Sequence, residues 1–242
     1  MHAISGAMLK AVIFDLDGVV ADSHPIHEAA WKTLLLEEGM DCTTLDLEFL
    51  YAGRPRTEIL RYYLGEIGAS EMARLGRRKD ELYGIAAHEL ITKPGILRVL
   101  SQLSDEGILC ALATSAGRVR SIESLERFGI TNYFSVIVTG EQVRSAKPSP
   151  EIFRLTAAKL GVEAKFCVVV EDSVAGVQAA RAAGMKCAGY TGVDRQAELR
   201  RAGADDLIVA FPENAPRYFR KLVVSAGPEM AAAQDSAQPK IG

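Results

Sequence analysis

The stretch KAVIFDLDGVVADS, residues 10–23, decides the fold, because a short apolar run ends there in two carboxylates followed by a glycine. Residues 11–14 predict a fully buried strand, since four apolar residues are too few for a helix and three of them are β-branched or aromatic. Carboxylates that follow a parallel strand lie at the sheet edge where open α/β folds bind ligands. Asp15 and Asp17 are therefore candidate site residues, although Asp and Gly also suit an ordinary acidic turn.

Composition and charge bound the class of protein. The 242 residues are 48% hydrophobic and 24% charged, as in globular proteins, and suffice for one large domain or two unequal ones. A formal charge of −3 offers no basic field for nucleic acid and no polybasic tract for a membrane surface. No apolar run approaches the ~20 residues that span a bilayer, and residues 1–10 lack the features of a signal peptide. We therefore expect a cytoplasmic protein that binds neither nucleic acid nor membrane.

The cysteines carry no sign of a disulfide framework or a zinc site. They are scattered along the chain without paired spacing, and three of them fall in predicted strands. Such cysteines favour buried thiols in the core. The residues concerned are Cys42, Cys110, Cys167 and Cys187.

A helical block follows the acidic turn. Apolar residues recur at helical spacing through this part of the chain, and no strand candidate lies among them. The predicted helices are 27–38, 45–52, 56–67 and 71–90. We therefore expect residues 23–92 to form an all-helical domain.

From residue 93 onward, apolar runs suited to buried strands alternate with helices. Strands are predicted at 108–113, 136–138, 166–170, 186–190 and 207–210, and helices at 95–106, 118–128, 150–160, 174–183, 195–202 and 215–224. Regular alternation implies a mostly parallel sheet with helices on both faces, which is a Rossmann-like α/β fold.

The first strand decides how the two parts of the chain are related. Residues 11–14 would have no strand partner unless they join the later sheet. We therefore expect a core domain made of residues 9–22 and 93–226, with residues 23–92 inserted into it. Residues 227–242 are rich in Ala, Pro, Gln and Gly without periodicity, which predicts a disordered tail.

Polar side chains also follow the other predicted core strands, at the edge where Asp15 stands. The second strand is followed by Thr114 and Ser115 and by the opening of a helix, whose free amides favour an anion. The third leads to Lys147, and the fourth ends in the acidic pair Glu171 and Asp172. Hydroxyls at helix starts and lysines in loops are common one at a time. Their concurrence with two acid pairs at one edge predicts a ligand site.

These residue types suit phosphate chemistry. Acids on two strand ends form an all-oxygen site of the kind that Mg²⁺ prefers, and Lys147 and Thr114 would add a charge and a hydroxyl for a phosphate. Asp15 can attack phosphorus to form an aspartyl-phosphate, since the metal and the lysine offset the repulsion between carboxylate and phosphate. Asp17 can protonate the leaving oxygen and then deprotonate the attacking water, a role that contributes about 10²–10⁴-fold.

The four strand ends resemble the four motifs of the haloacid dehalogenase superfamily, in its Mg²⁺-dependent phosphohydrolase branch, over residues 10–224. DLDGV resembles the first motif, ATS the second, AKPSPEIF the third and VEDSVAG the fourth. The resemblance implies that Asp15 is the nucleophile and that Asp17 is the acid/base, which also binds Mg²⁺ through its backbone carbonyl. It implies a metal ligand in Asp172 and either a ligand or an outer-shell acid in Glu171. The implied phosphate-binding residues are Thr114, Ser115 and Lys147. The acid pairs favour phosphohydrolysis over dehalogenation.

The helical block resembles the small α-helical cap that follows the first motif in this superfamily, excludes water and selects the substrate. In it GRPRTEIL looks like the cap loop of β-phosphoglucomutases and sugar-phosphate phosphatases, which implies substrate contacts for Arg56 and for its neighbour Arg54. His27 and Lys79 also match mutase cap positions. His27 is a candidate substrate residue that equally suits a capping or surface position, and Lys79 is expected on a solvated charged face. Ala52 stands where the mutase has a loop lysine, which weakens the mutase assignment.

The sequence thus predicts a Mg²⁺-dependent enzyme that hydrolyses a small phosphate monoester, with sugar phosphates as the favoured class, through phospho-Asp15. Two alternatives stay open. One is a β-phosphoglucomutase-like enzyme that passes the phosphoryl group to a second hydroxyl, and the other is a non-catalytic binding protein, which the complete motif set disfavours. The expected partner is a small-molecule phosphate ester. The sequence does not distinguish a monomer from a weak dimer.

Overall fold

The structure, a computed structural model, describes residues 8–41, 46, 49–50, 54–192 and 195–224. Its strands are β1 (Ala11–Phe14), β2 (Leu109–Thr114), β3 (Phe134–Thr139), β4 (Cys167–Glu171), β5 (Lys186–Tyr190) and β6 (Asp206–Ile208). Its helices are α1 (His24–Glu37), α2 (Arg56–Leu64), α3 (Ala69–Ala86), α4 (Ile96–Asp105), α5 (Arg118–Arg127), α6 (Glu151–Leu160), α7 (Val174–Ala182), α8 (Gln196–Ala202) and α9 (Ala215–Val224). α1 begins at His24 rather than at the predicted 27, since a proline at the second helical position suits a first turn.

All six strands form one parallel sheet in the order β3–β2–β1–β4–β5–β6. Residues 11–14 pair with 109–112 on one side and with 167–170 on the other. The Rossmann-like α/β fold is therefore confirmed, and the first strand joins the later sheet as predicted. The strand order reverses between β1 and β4, and the carboxyl ends of the strands beside such a point open a crevice for ligands.

β1 is apolar throughout because both of its faces are covered. Val12 and Phe14 belong to a core cluster that extends into α4, α9 and the helices α1 and α3. Ala11 and Ile13 belong to a second cluster on the opposite face, with Phe153 of α6 at its centre. Burying each large side chain contributes about 1.5–3 kcal/mol. This packing fixes the end of β1, and with it the place where Asp15 leaves the sheet.

Two crossings of the chain connect the helices α1 to α3 to the sheet, and they lie side by side. Ala21 forms an antiparallel bridge with Thr92. The backbone N–H of Lys93 donates to the carbonyl of Val20 at 2.9 Å, and Lys93 Nζ donates to Asp22 Oδ1 at 2.7 Å. Both crossings of the segment therefore occupy one short stretch beside β1.

Some predictions lie outside the described residues: most of the helix at 45–52, the residues Ala52 and Cys42, and the tail at 227–242. Among the described helices, none is long and apolar enough to cross a membrane. The remaining cysteines are buried free thiols, as predicted: Cys110, Cys167 and Cys187.

Candidate active site

A cavity of about 960 Å³ lies between the carboxyl edge of the sheet and the helical segment. Its volume is in the range of small-molecule sites. The structure brings every residue that the sequence predicted for the site to this cavity: Asp15, Asp17, His27, Arg54, Arg56, Thr114, Ser115, Lys147, Glu171 and Asp172. The cavity therefore joins the strand ends to the cap positions.

Lys147 is the centre of a buried charge cluster. Its Nζ donates to Asp15 Oδ1 at 2.7 Å and to Glu171 Oε1, and the three residues are at most 6% exposed. Burial alone would lower the pKa of Lys147, but the two carboxylates outweigh it and raise that pKa. Burial raises the pKa of Asp15 well above its usual value, and the charge of Lys147 opposes that rise. The lysine thus holds the Asp15 carboxylate at the end of β1.

The second oxygen of Glu171 is bonded within the turn between β4 and α7. Glu171 Oε2 accepts hydrogen bonds from the backbone N–H of Asp172 and from the N–H and Oγ of Ser173, each at 2.9 Å. A Cβ atom at Gly176 would lie 1.9 Å from Glu171 Oε1, so only glycine fits there. Because both oxygens are engaged, the geometry favours the outer-shell role over direct metal ligation, of the two roles that the resemblance left open.

Asp172 faces the turn that follows β1. A Cβ atom at Gly18 would lie 2.0 Å from Asp172 Oδ2, and Gly18 has a φ of +77°. His24 Nε2 lies 2.9 Å from the same oxygen. Sequence reasoning missed His24, since nothing in the pattern distinguishes it from an ordinary first-turn residue. The missing side chain at Gly18 therefore brings the Asp172 carboxylate against the DLDGV turn.

The donor set at this edge fits Mg²⁺. Asp15 and Asp172 supply hard carboxylate oxygens from the neighbouring strands β1 and β4, and the backbone carbonyl of Asp17 would add a third oxygen. In the part of the chain that the structure describes, no group of three or more His, Cys, Asp or Glu side chains forms a metal site by itself. Water and substrate phosphate would complete the shell, as is usual for Mg²⁺.

Gly18→Ala is expected to weaken both the fold and Mg²⁺ binding. Its φ of +77° costs a residue with a side chain about 1–2 kcal/mol, and the added Cβ must also displace the Asp172 carboxylate. Gly39→Ala is the matched control, because Gly39 has a φ of +78° and nothing within 4 Å of the added atom. Urea unfolding and calorimetric Mg²⁺ titration of both variants measure the difference. Equal free energies of unfolding and equal Mg²⁺ affinities would mean that the close approach at Gly18 has no consequence.

The carboxylate of Asp17 forms a bidentate ion pair with Arg120. Nη1 and Nη2 of Arg120 donate to Oδ1 and Oδ2 at 2.8 and 2.7 Å, and His27 Nε2 lies 3.4 Å from Oδ1. Burial would raise the pKa of Asp17, but Arg120 and then His27 outweigh it and hold that pKa well below its usual value. Sequence reasoning missed Arg120, because the helix RVRSIESLER reads as a solvated face. The available signal was its place just after the predicted site residues Thr114 and Ser115.

His27 and Lys79 form the same wall of the cavity. Lys79 Nζ lies 2.6 Å from His27 Nδ1 and 4.9 Å from the ring centre of Tyr83. Lys79 is only 4% exposed, so the prediction of a solvated face is wrong for this residue: α3 turns it towards α1. Burial, with Arg120 nearby, lowers the pKa of Lys79 to about 7. Burial and the charge of Lys79 lower the pKa of His27 to about 4.

The predicted phosphate-binding hydroxyls lie at the end of β2. Thr114 is buried, and its Oγ1 accepts the backbone N–H of Ala116 at 3.1 Å, while Ser115 is exposed at the cavity. The first amide of α5, that of Arg118, donates to Glu141 Oε1 at 3.2 Å. A carboxylate of the chain itself thus stands at the helix start where the sequence predicts an anion.

The two arginines of the predicted cap loop are each paired with an acid. Arg56 donates to the two carboxylate oxygens of Asp80 at 3.0 and 2.6 Å. Arg54 lies 3.3 Å from Glu58 and stacks on the ring of Phe49, with its guanidinium carbon 4.5 Å from the ring centre. Contact with a substrate therefore requires these pairs to rearrange.

Comparison with known proteins gives one family and two kinds of reaction. The family model for haloacid dehalogenase-like hydrolases matches residues 12–190. The chain is 33% identical over 180 residues to the phosphorylated carbohydrates phosphatase of Thermotoga maritima, covering 74% of this chain and 83% of that protein. It is 36% identical over 191 residues to the β-phosphoglucomutase of Bacillus subtilis, covering 75% and 83%. The crystal structure of β-phosphoglucomutase from Clostridium difficile matches with a TM-score of 0.76 at 27% identity, covering 89% and 97%.

Proposed function

The chain belongs to the haloacid dehalogenase-like hydrolases and is related to their phosphatases, and from that premise we propose that it hydrolyses a small sugar phosphate through phospho-Asp15. The observation that carries the proposal is the buried cluster of Asp15, Lys147 and Glu171 beneath a cavity of small-molecule size. Mg²⁺ is the proposed cofactor, and it would supply charge neutralisation at the phosphoryl group. The buried free thiols suit a reducing compartment, so we place the enzyme in the cytoplasm.

The proposed reaction has two steps at phosphorus. In the first, the Asp15 carboxylate attacks, the bond to the ester oxygen breaks, and Asp17 gives its proton to the leaving oxygen. In the second, Asp17 takes a proton from the water that attacks phospho-Asp15, which releases phosphate and restores the carboxylate. Lys147 holds Asp15 in place and offsets the charge of the phosphoryl group. Thr114 and Ser115 are the proposed hydroxyl contacts to its oxygens.

We further propose that residues 23–92 act as a mobile cap on a core made of residues 9–22 and 93–226. The cavity between the two parts and the adjacent crossings near Ala21 and Thr92 support this division. Two neighbouring crossings can serve as one hinge, because few backbone angles need to change. Closing the cap would exclude bulk water from the Asp15 carboxylate.

A second candidate is transfer of the phosphoryl group to another hydroxyl of the sugar. It is favoured by the hydrogen bond between Lys79 and His27, since both residues resemble mutase cap positions. The identity to a β-phosphoglucomutase supports it as well. The two reactions share every core residue and differ in whether water reaches phospho-Asp15.

One assay separates these functions. The protein is incubated with Mg²⁺ and a panel of sugar phosphates, and also with β-glucose 1-phosphate plus glucose 1,6-bisphosphate as primer. Free phosphate and glucose 6-phosphate are followed together. We expect phosphate release from at least one sugar phosphate to outrun isomerisation. Faster isomerisation would identify a mutase, and no turnover of any ester would support a binding protein.

A further inference from the structure

Arg120 contacts both the proposed acid/base and the helical segment above it. Its guanidinium holds both oxygens of Asp17, at 2.8 and 2.7 Å, and its Cζ lies 4.8 Å from the ring centre of Tyr83 in α3. The side chain lines the cavity and is 27% exposed. None of the four sequence motifs includes this arginine. It therefore connects Asp17, the cavity and α3 without a role assigned by the motifs.

The ion pair has a geometric consequence for catalysis. An acid that protonates a leaving oxygen must direct a carboxyl oxygen at that atom. In this structure both oxygens of Asp17 accept hydrogen bonds from Arg120, and His27 lies 3.4 Å from one of them. Arg120 must therefore release at least one of these oxygens before Asp17 serves the ester.

Basic groups exceed acidic ones on this wall of the cavity. Arg120, His27 and Lys79 all lie against the ring of Tyr83, at 4.8, 4.6 and 4.9 Å from its centre. Among the described residues, Arg120 and His27 both pair with Asp17, while Lys79 has no carboxylate within 4.0 Å. The wall can therefore accept a further negative charge, and Arg120 has the planar fork that binds carboxylate or phosphate through two hydrogen bonds.

We propose that Arg120 is a positioning and specificity residue that recognises a second anionic group on the leaving alcohol of the substrate. That group, a carboxylate or a phosphate, takes the place of Asp17 on the guanidinium and lets Asp17 turn to the ester oxygen. An ester with an uncharged alcohol leaves the ion pair intact and reacts more slowly. The inference rests on the proposed phosphatase function and adds no covalent step, because one ion pair is exchanged for another.

Two matched pairs of substrates separate the two kinds of anion. 2-Phosphoglycolate and 2-hydroxyethyl phosphate differ by a carboxylate in place of a hydroxymethyl group. Fructose 1,6-bisphosphate and fructose 1-phosphate differ by a second phosphate. Initial rates of phosphate release with Mg²⁺ give kcat and KM separately for each ester.

Three variants complete the design. Arg120→Met removes the charge, and Arg120→Lys keeps a charge but loses the planar fork. Arg118→Met is the matched control, because Arg118 lies on the same helix, is exposed and does not line the cavity. We expect wild type to prefer the acidic member of at least one pair. Arg120→Met should lower kcat/KM for that ester about 10- to 100-fold and raise kcat for its neutral partner, while Arg118→Met keeps the wild-type preference.

Each outcome bears on the inference. If Arg120→Met slows all four esters by one factor, the arginine is merely structural and the inference fails. If wild type releases phosphate without preferring either acidic ester, the inference fails while the proposed function stands. No phosphate release from any ester by wild type overturns both. Should Arg120→Met not fold, Arg120→Lys provides the comparison, because one ammonium group cannot reproduce the bidentate contact, and a wild-type preference in that variant contradicts the inference.

Discussion

Asp15→Asn is expected to lower kcat for phosphate release at least about 10⁴-fold, the scale of losing a nucleophile. An amide oxygen is a much weaker nucleophile than a carboxylate, so no covalent phosphoryl intermediate forms. The fold should persist, because Lys147 keeps its ion pair with Glu171. Stopped-flow phosphate release measures the rate, and intact-protein mass spectrometry after rapid quenching detects the phosphorylated chain in wild type alone.

Asp22→Asn is the control for loss of a nearby acidic charge. Asp22 follows in the same stretch of chain and pairs with Lys93 at 2.7 Å, but it does not line the cavity. This variant should keep most of the wild-type kcat and still form the phosphorylated chain. A phosphorylated Asp15→Asn chain, or similar losses in the two variants, would remove Asp15 from the nucleophile role.

Lys147→Met is expected to destabilise the metal-free protein by about 3–5 kcal/mol and to abolish turnover. The substitution leaves Asp15 and Glu171 buried together without the cation that both carboxylates contact. Mg²⁺ should restore part of the lost stability, because it binds the folded state and supplies the missing positive charge. Urea unfolding with Mg²⁺ and with EDTA measures both effects.

Lys32→Met gives the scale of an ordinary ion pair. Lys32 and Glu28 lie 2.6 Å apart, but their side chains are 44% and 27% exposed, so the loss should be below about 0.5 kcal/mol and independent of Mg²⁺. Equal free energies of unfolding for the two variants would contradict the view that the buried cluster depends on Lys147.

The fold was predictable because its signals are local. A uniformly apolar run of four residues can be a strand only if both faces are covered, and β1 indeed lies between β2 and β4. The alternation after residue 93 then required a parallel sheet. Boundaries were less accurate: α1 starts at His24, and β3 spans Phe134–Thr139 rather than 136–138. Helix and strand ends depend on caps and edge pairing, which periodicity does not carry.

The site was predictable only where a strand end determines position. Asp15, Glu171 and their neighbours follow from the sheet edge alone. Arg120 and His24 do not, because they reach the site from helices whose rotation depends on the packing of the whole chain. Lys79 was wrongly predicted as solvated for the same reason: charged neighbours surround it in sequence, while α3 turns this one position inward.

The central position of β1 also governs the order in which the protein can become active. β1 is translated first, but its neighbours β2 and β4 begin only at residues 109 and 167. At roughly 5–20 residues per second, Asp15 is synthesised on the order of ten seconds before Glu171. The helices of the segment in between make local contacts and can fold on the ribosome during that interval. A nascent chain stalled before β4 therefore carries its nucleophile without the acids that complete the site.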